Sequence, residues 1–248
     1  MKSGLSSPQR AAVFAFLYAI FVLSCGCAKF PAGPGNGHAK RLTFTITFEG
    51  AIRQEPTVDV PRPAYYFILI DNDDDPGGQN GPVPVVAPPW GNGYAAGHYT
   101  HMIVLGQFLG APTWDYFLYE MNDPDGSLNE PVLIGQPVSY TTPRPGDIVI
   151  RFEIDLLQIS PDLHSALDIT HLQINFIATD DVPTDPDVPG KFWDALGAGE
   201  GELNSFINID VRQDIRYDLE YFTSLTEPAG DVADSALDIV DFSIEVTS

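Results

Sequence analysis

Four aspartates in five residues, Asp71, Asp73, Asp74 and Asp75, are followed at once by Pro76, Gly77 and Gly78. Carboxylates packed this densely into a turn repel one another unless water or a cation screens them. Ca²⁺ takes six to eight oxygens from Asp, Asn, backbone carbonyls and water. Asp71, Asp73, Asp75 and Asn80, with loop carbonyls, supply several of these, so Ca²⁺ is the cofactor the pattern suits. The Asp-x-Asp-x-Asp start is that of calcium loops, but an EF-hand is excluded: Pro76 stands where its Gly is needed and Pro82 where its Glu is needed. The plain alternative is a solvated acidic turn. A second acidic stretch holds Asp180, Asp181, Asp185 and Asp187. Whether the two stretches meet depends on strand order.

Aromatic residues offer a different chemistry. Trp90 and Tyr94, in the Gly-rich run PPWGNGY, present flat rings of the kind that stack on a sugar face. Asp180 and Asp181 join them as candidate ligand contacts; the competing reading folds Trp90 back as a lid on the core. His98 and His101 stand three apart, which on a strand puts them on opposite faces, so no histidine metal site is expected. Glu153 and Asp155 share a strand face about 7 Å apart, within the span of paired glycosidase carboxylates. There is no Gly-x-Ser-x-Gly elbow, no His-Glu-x-x-His and no phosphate-binding Gly loop. No catalytic residue is assigned.

The elements that must position these residues read as strands. Residues 65–70 (YYFILI) are an unbroken apolar run, which suits a strand buried on both faces, and the first acidic stretch leaves from its end. Leu42, Phe44, Ile46 and Phe48 alternate with threonines, the period of a half-buried strand. Further strands are expected at 98–105, 113–121, 147–155, 171–178, 206–211 and 240–246, with short edge pieces at 132–134 and 138–141. Helical turns are expected only at 156–167 and 191–196, and residues 72–97 are too rich in Pro and Gly for regular structure. Gly and Pro together are 44 of 248 residues, about 18% against roughly 12% in average usage. Short alternating strands separated by turns give an all-β antiparallel sandwich, jelly-roll-like, with long Gly/Pro-rich loops and one or two short helices.

Charge narrows the partners. There are 34 acidic against 12 basic residues, and two of the bases, Lys2 and Arg10, lie ahead of the body. So acidic a surface repels phosphates, which excludes nucleic acid. Lys2 and Arg10 form a positive start to an export signal whose apolar run spans residues 11–23, too short for a membrane-crossing helix. Both cysteines, Cys25 and Cys27, follow it, so no disulfide braces the fold.

VLSC and SCGC resemble the lipobox of bacterial lipoproteins, although each lacks the Leu three residues upstream. That resemblance implies lipidation at Cys25 or Cys27 and a membrane anchor, with plain secretion as the alternative. Neither cysteine is followed by Asp, so outer-membrane placement is implied in a diderm host. The organisation expected is a signal over residues 1–27, a flexible tether over 28–41 reaching about 20 Å, and one domain over 42–248. Strands ending in Ile70-Asp71-Asn72-Asp73 and Ala178-Thr179-Asp180 resemble the DOMON and family-9 carbohydrate-binding sandwich modules. This resemblance implies a ligand-binding sandwich with a structural Ca²⁺. The leading function is then a lipid-anchored envelope protein that binds a glycan or envelope component without catalysis. A glycan-active hydrolase using paired carboxylates and a structural assembly component remain alternatives.

Overall fold

The computed structural model describes residues 39–56, 62–72, 80–84, 95–122, 131–182, 191–197 and 206–248. Its strands are β1 (Arg41–Phe48), β2 (Tyr65–Asp71), β3 (Val83–Pro84), β4 (Ala95–Ala96), β5 (His101–Gly106), β6 (Asp115–Met121) and β7 (Pro131–Gly135). They continue as β8 (Ser139–Thr141), β9 (Val149–Asp155), β10 (His171–Thr179), β11 (Trp193–Ala195), β12 (Ile207–Asp210), β13 (Ile215–Asp218) and β14 (Ile239–Thr247). A 3-10 turn (Leu156–Ile159) and one short helix, α1 (Leu163–Asp168), follow β9. The signal segment and residues 28–38 of the expected tether, including Cys25 and Cys27, lie outside the described residues; the body begins earlier than position 42, since Ala39 is buried and Arg41 opens β1.

Two antiparallel sheets carry the fold. One has the order β13-β14-β1-β9-β8, the other β11-β10-β2-β5-β6-β7, with β12 sharing the outer edge of β10 with β11. In the five-stranded sheet, alternation does what its period dictates. Leu42, Phe44, Ile46 and Phe48 of β1, with Ile150, Phe152 and Ile154 of β9 and Phe242, Ile244 and Val246 of β14, face inward. Across the gap, Tyr66, Ile68 and Ile70 of β2, Ile103 and Leu105 of β5 and Leu172, Ile174 and Phe176 of β10 meet them. Phe44 stacks on Phe152 with ring centres 4.8 Å apart and meets the edge of Phe176 from the opposite sheet.

The seven-stranded sheet is covered on its second face as well. Phe67, Leu69, Met102, Val104, Tyr119 and Ile177 pack there against Ala95, Tyr99, Phe108, Trp193 and Ala195. This is why β2 reads as an unbroken apolar run and why β5 and β10 are buried along nearly their whole length: neither face meets water. The expected sandwich and the central place of residues 65–70 hold.

Three local expectations change. Residues 191–196 form β11 instead of a helical turn. Their helix-like spacing spans under two turns, too short to hold without packing, and β10 offers an open edge that Trp193–Ala195 completes at Ile177–Thr179. The segment 72–97 contains the small β3–β4 ladder. The chain can cross itself there because Gly97, at φ +75°, lies where any Cβ would strike the Gly81 carbonyl at 2.2 Å. The edge strand β13 has only two apolar residues and was not expected from the pattern; pairing with β14 makes it.

Because β2 has no wet face, Phe67→Ala and Ile68→Ala, neighbours pointing to opposite layers, should both destabilise strongly. The expected costs are about 3–5 and about 2–5 kcal/mol in urea unfolding. A near-neutral result for either would mean that its face is open to solvent.

Candidate functional site

The first acidic stretch starts differently from its sequence reading. Asp71 is the last residue of β2, paired in register with Gln173, and it is buried. Its Oδ2 lies 2.9 Å from His98 Nδ1. Asn72 is tied to Thr100, whose hydroxyl donates to Asn72 Oδ1 at 2.7 Å, and the Asn72 amide reaches the Ile159 carbonyl. Asn80 is exposed, and its carbonyl accepts the His98 amide. The strand end is therefore fastened to the segment entering β5. Asp73, Asp75, Trp90 and Tyr94 lie outside the described residues. His98 precedes β5 and pairs with Asp71, while His101 opens β5, faces the inter-sheet layer and meets Thr100 Oγ1 at 3.0 Å.

Strand order fixes where the two acidic stretches begin. Antiparallel β2 and β10 set Asp71 opposite Gln173 and Tyr65 opposite Thr179. The chain thus leaves β2 at one rim and β10 at the other, about 20 Å away by strand rise. Asp180 is 2% exposed; its Oδ1 accepts the Phe192 amide at 2.8 Å and its Oδ2 lies 3.5 Å from Arg62 Nη1. Burial raises its pKa. It fastens β10 to the approach of β11, and Asp181 beside it is half-buried, its amide donating to Thr179 Oγ1.

Glu153 and Asp155 do share a face of β9, and Arg41 of β1 sits across from them. Arg41 Nη1 is 2.9 Å from Glu153 and Nε is 3.9 Å from Asp155. Asp155 also caps the following 3-10 turn, accepting the Leu157 amide at 2.9 Å.

Among the described residues, carboxyls also gather at a place that no local pattern announces. Glu49 follows β1, Asp194 is the middle of β11, Glu227 and Asp231 lie in the connection between β13 and β14, and Asp238 immediately precedes β14. They gather where the two sheets meet at the β10 C-terminal rim. On β11, Trp193 and Ala195 turn to the outer core, so Asp194 turns the other way, toward the five-stranded sheet. There its Oδ2 accepts the Ile239 amide at 2.7 Å and its Oδ1 accepts the Ala195 amide at 2.8 Å. The Glu49 amide donates to the Asp238 carbonyl. Gly50 permits this approach, since a Cβ there would lie 2.3 Å from Ser235 Oγ. The neighbouring loop is pinned by Arg53 to Asp234 at 2.5 Å and by the Tyr66 hydroxyl donating to the Ala236 carbonyl at 3.1 Å.

One oxygen each of Asp194, Asp231 and Asp238 falls within 4.8 Å of the others. Asp238 is fully buried; Oδ2 accepts the Gly230 amide at 2.6 Å, while Oδ1 meets no donor. Glu227 behaves alike, with Oε1 on the Gly197 amide at 2.9 Å and buried Oε2 meeting none. Burial first, then neighbouring carboxylates, push Asp194 up to about 7 and Glu227 up to about 9. Burial likewise raises Asp231 and Asp238, and the Asp238 carboxyl raises Glu49. The charges acting most on each member are those of other members. Such a constellation takes up positive charge, as protons or as a cation. Its members span nearly 190 positions of sequence, and only the repeated acids of DVADSALD hint at it.

No family model, curated protein or solved structure matches the chain.

Burial takes the His101 imidazole down to about 4. Its folded value lies below the unfolded 6.5, so its contribution is intact above pH 6.5 and is lost as pH falls to 4. His101→Gln should remove this slope. The stability difference between wild type and variant should shrink by about 3 kcal/mol between pH 7 and pH 4 in urea titrations. An unchanged difference would place the ring in water.

Proposed function

We propose that the protein is an exported envelope protein, anchored by lipid at Cys25 or Cys27, whose β-sandwich binds a glycan or another envelope component and carries no catalysis. The anchoring half rests on the signal-like residues 11–23, the lipobox-like VLSC and SCGC, and the Pro/Gly-rich tether that runs to the first strand. The observation that carries the non-catalytic half is on β9. Glu153 and Asp155, the pair with glycosidase spacing, stand on a partly exposed face within 2.9 and 3.9 Å of the single Arg41 guanidinium. A hydrolase needs one carboxyl of such a pair kept protonated by burial or by its like-charged partner. Here one guanidinium engages both carboxyls, and neither is fully buried. Trp90 and Tyr94 are the rings this reading assigns to a sugar face.

Two measurements on the full chain test the reading. Metabolic labelling with an alkyne-bearing palmitate should mark the wild type, and label should disappear from the Cys25→Ala/Cys27→Ala double variant; an unlabelled wild type contradicts the anchor. On a glycan array the wild type should retain at least one envelope polysaccharide. Trp90→Ala and Tyr94→Ala should each weaken that binding about tenfold, or about 1.4 kcal/mol. A blank array would remove the glycan.

A further inference from the structure

We infer that the carboxylate cluster where the two sheets meet is a divalent-cation site, that its ion is Ca²⁺, and that Asp194, Asp231 and Asp238 hold it with Glu227 and Glu49 around them. This stands apart from lipid anchoring and glycan binding, since it uses none of their residues.

Geometry comes first. Two oxygens on opposite sides of one Ca²⁺, each at 2.3–2.6 Å, lie about 4.6–5.2 Å apart. The three aspartate oxygens fall within 4.8 Å of one another, which fits that span. Mg²⁺, at about 2.0–2.1 Å, demands a stricter octahedron and gives up its waters reluctantly, whereas Ca²⁺ accepts irregular carboxylate sets. Every side-chain donor is a carboxylate oxygen, the set that hard cations prefer and that Zn²⁺ and Cu²⁺ do not.

A second observation points to a ligand independently of the clustering. Asp238 is 0% exposed, yet its Oδ1 has no donor to accept from. The side chains that act on the Asp238 carboxyl there are those of Glu49 and Asp231, and a carboxylate has no proton to give. A buried acceptor left without a donor costs about 1–3 kcal/mol in general, and more when charged. Buried Glu227 Oε2 repeats the pattern. In both residues the backbone holds one oxygen, through Gly230 and Gly197, and leaves the other available. Carboxylates oriented in advance by amides, each with a second oxygen left without a donor, lack a positive centre.

The consequence is mechanical. Asp194 belongs to the seven-stranded sheet, while Glu49 and Asp238 adjoin β1 and β14 of the other. An ion shared among them clamps the sheets together at this rim.

The full chain, stripped with EDTA, should bind one Ca²⁺ by titration calorimetry, and 5 mM Ca²⁺ should raise its melting temperature by about 5–10 °C. Asp231→Asn, at an exposed position that leaves the core untouched, should weaken uptake at least about tenfold. Asp238→Asn should abolish the Ca²⁺-induced shift while its calcium-free melting temperature stays level or rises, because the amide relieves repulsion. Asp73→Asn/Asp75→Asn should keep the shift. No uptake by wild type, undiminished uptake by both Asp231→Asn and Asp238→Asn, or loss of the shift in Asp73→Asn/Asp75→Asn would each overturn the site. An equal shift with Mg²⁺ would overturn the choice of ion.

Discussion

The middle strands of the larger sheet cannot face water on either side, and most of the architecture answers that constraint. Phe67 and Leu69 point one way from β2, and Tyr66, Ile68 and Ile70 the other, all buried. The five-stranded sheet covers the second set. The first needs a cover of its own, supplied by Ala95, Tyr99 and Phe108, and Trp193 and Ala195 extend that layer from the sheet's edge. Burying each large side chain is worth about 1.5–3 kcal/mol, so both layers are strongly driven. Once Trp193 and Ala195 are committed to the outer layer, strand geometry turns Asp194 inward. A carboxyl is thereby carried to the place where the sheets meet.

That carboxyl is the weak point of an otherwise apolar joint. Asp194 is fully buried and accepts two amides, which offsets part of its lost hydration. Asp238 and Glu227 each receive only one, and all three repel. Domains of this size are stable by about 5–15 kcal/mol in total, so several buried carboxyls short of partners weigh heavily against that margin. A net charge of −22 adds to the repulsion. Protons relieve it as pH falls. A divalent ion relieves it at neutral pH and turns the same residues into a fastening between sheets. Extracellular calcium modules commonly bind at about 10⁻⁴–10⁻³ M, a range that suits the proposed export and a partly open site.

Sequence periodicity was sufficient for the layers and poor for the cluster, for reasons visible in particular residues. The alternation of β1, β9 and β14 and the unbroken run of β2 each follow from one burial pattern over seven or more residues. Trp193–Ala195 is too short to show a period, and residues 191–196 are spaced as a helix turn would be. Ile215–Asp218 is an edge strand whose charged residues face water, which leaves little apolar pattern. Local charge density pointed to residues 71–75, yet Asp71 turns inward to His98, at the opposite rim from the cluster. Glu49, Asp194, Glu227, Asp231 and Asp238 come together only through sheet pairing and loop closure. Glu227, Asp231 and Asp238 lie within twelve residues, but Asp194 and Glu49 come from 33 and 178 positions before Glu227.

Anomalous diffraction from crystals grown with Ca²⁺, or with Tb³⁺ in its place, examines the joint most directly. The account requires a single strong peak with Asp194, Asp231 and Asp238 oxygens at about 2.3–2.6 Å, bridging β11 to the start of β14. A featureless joint in fully loaded crystals, with the ion bound instead beside residues 73–75 or nowhere, would contradict it.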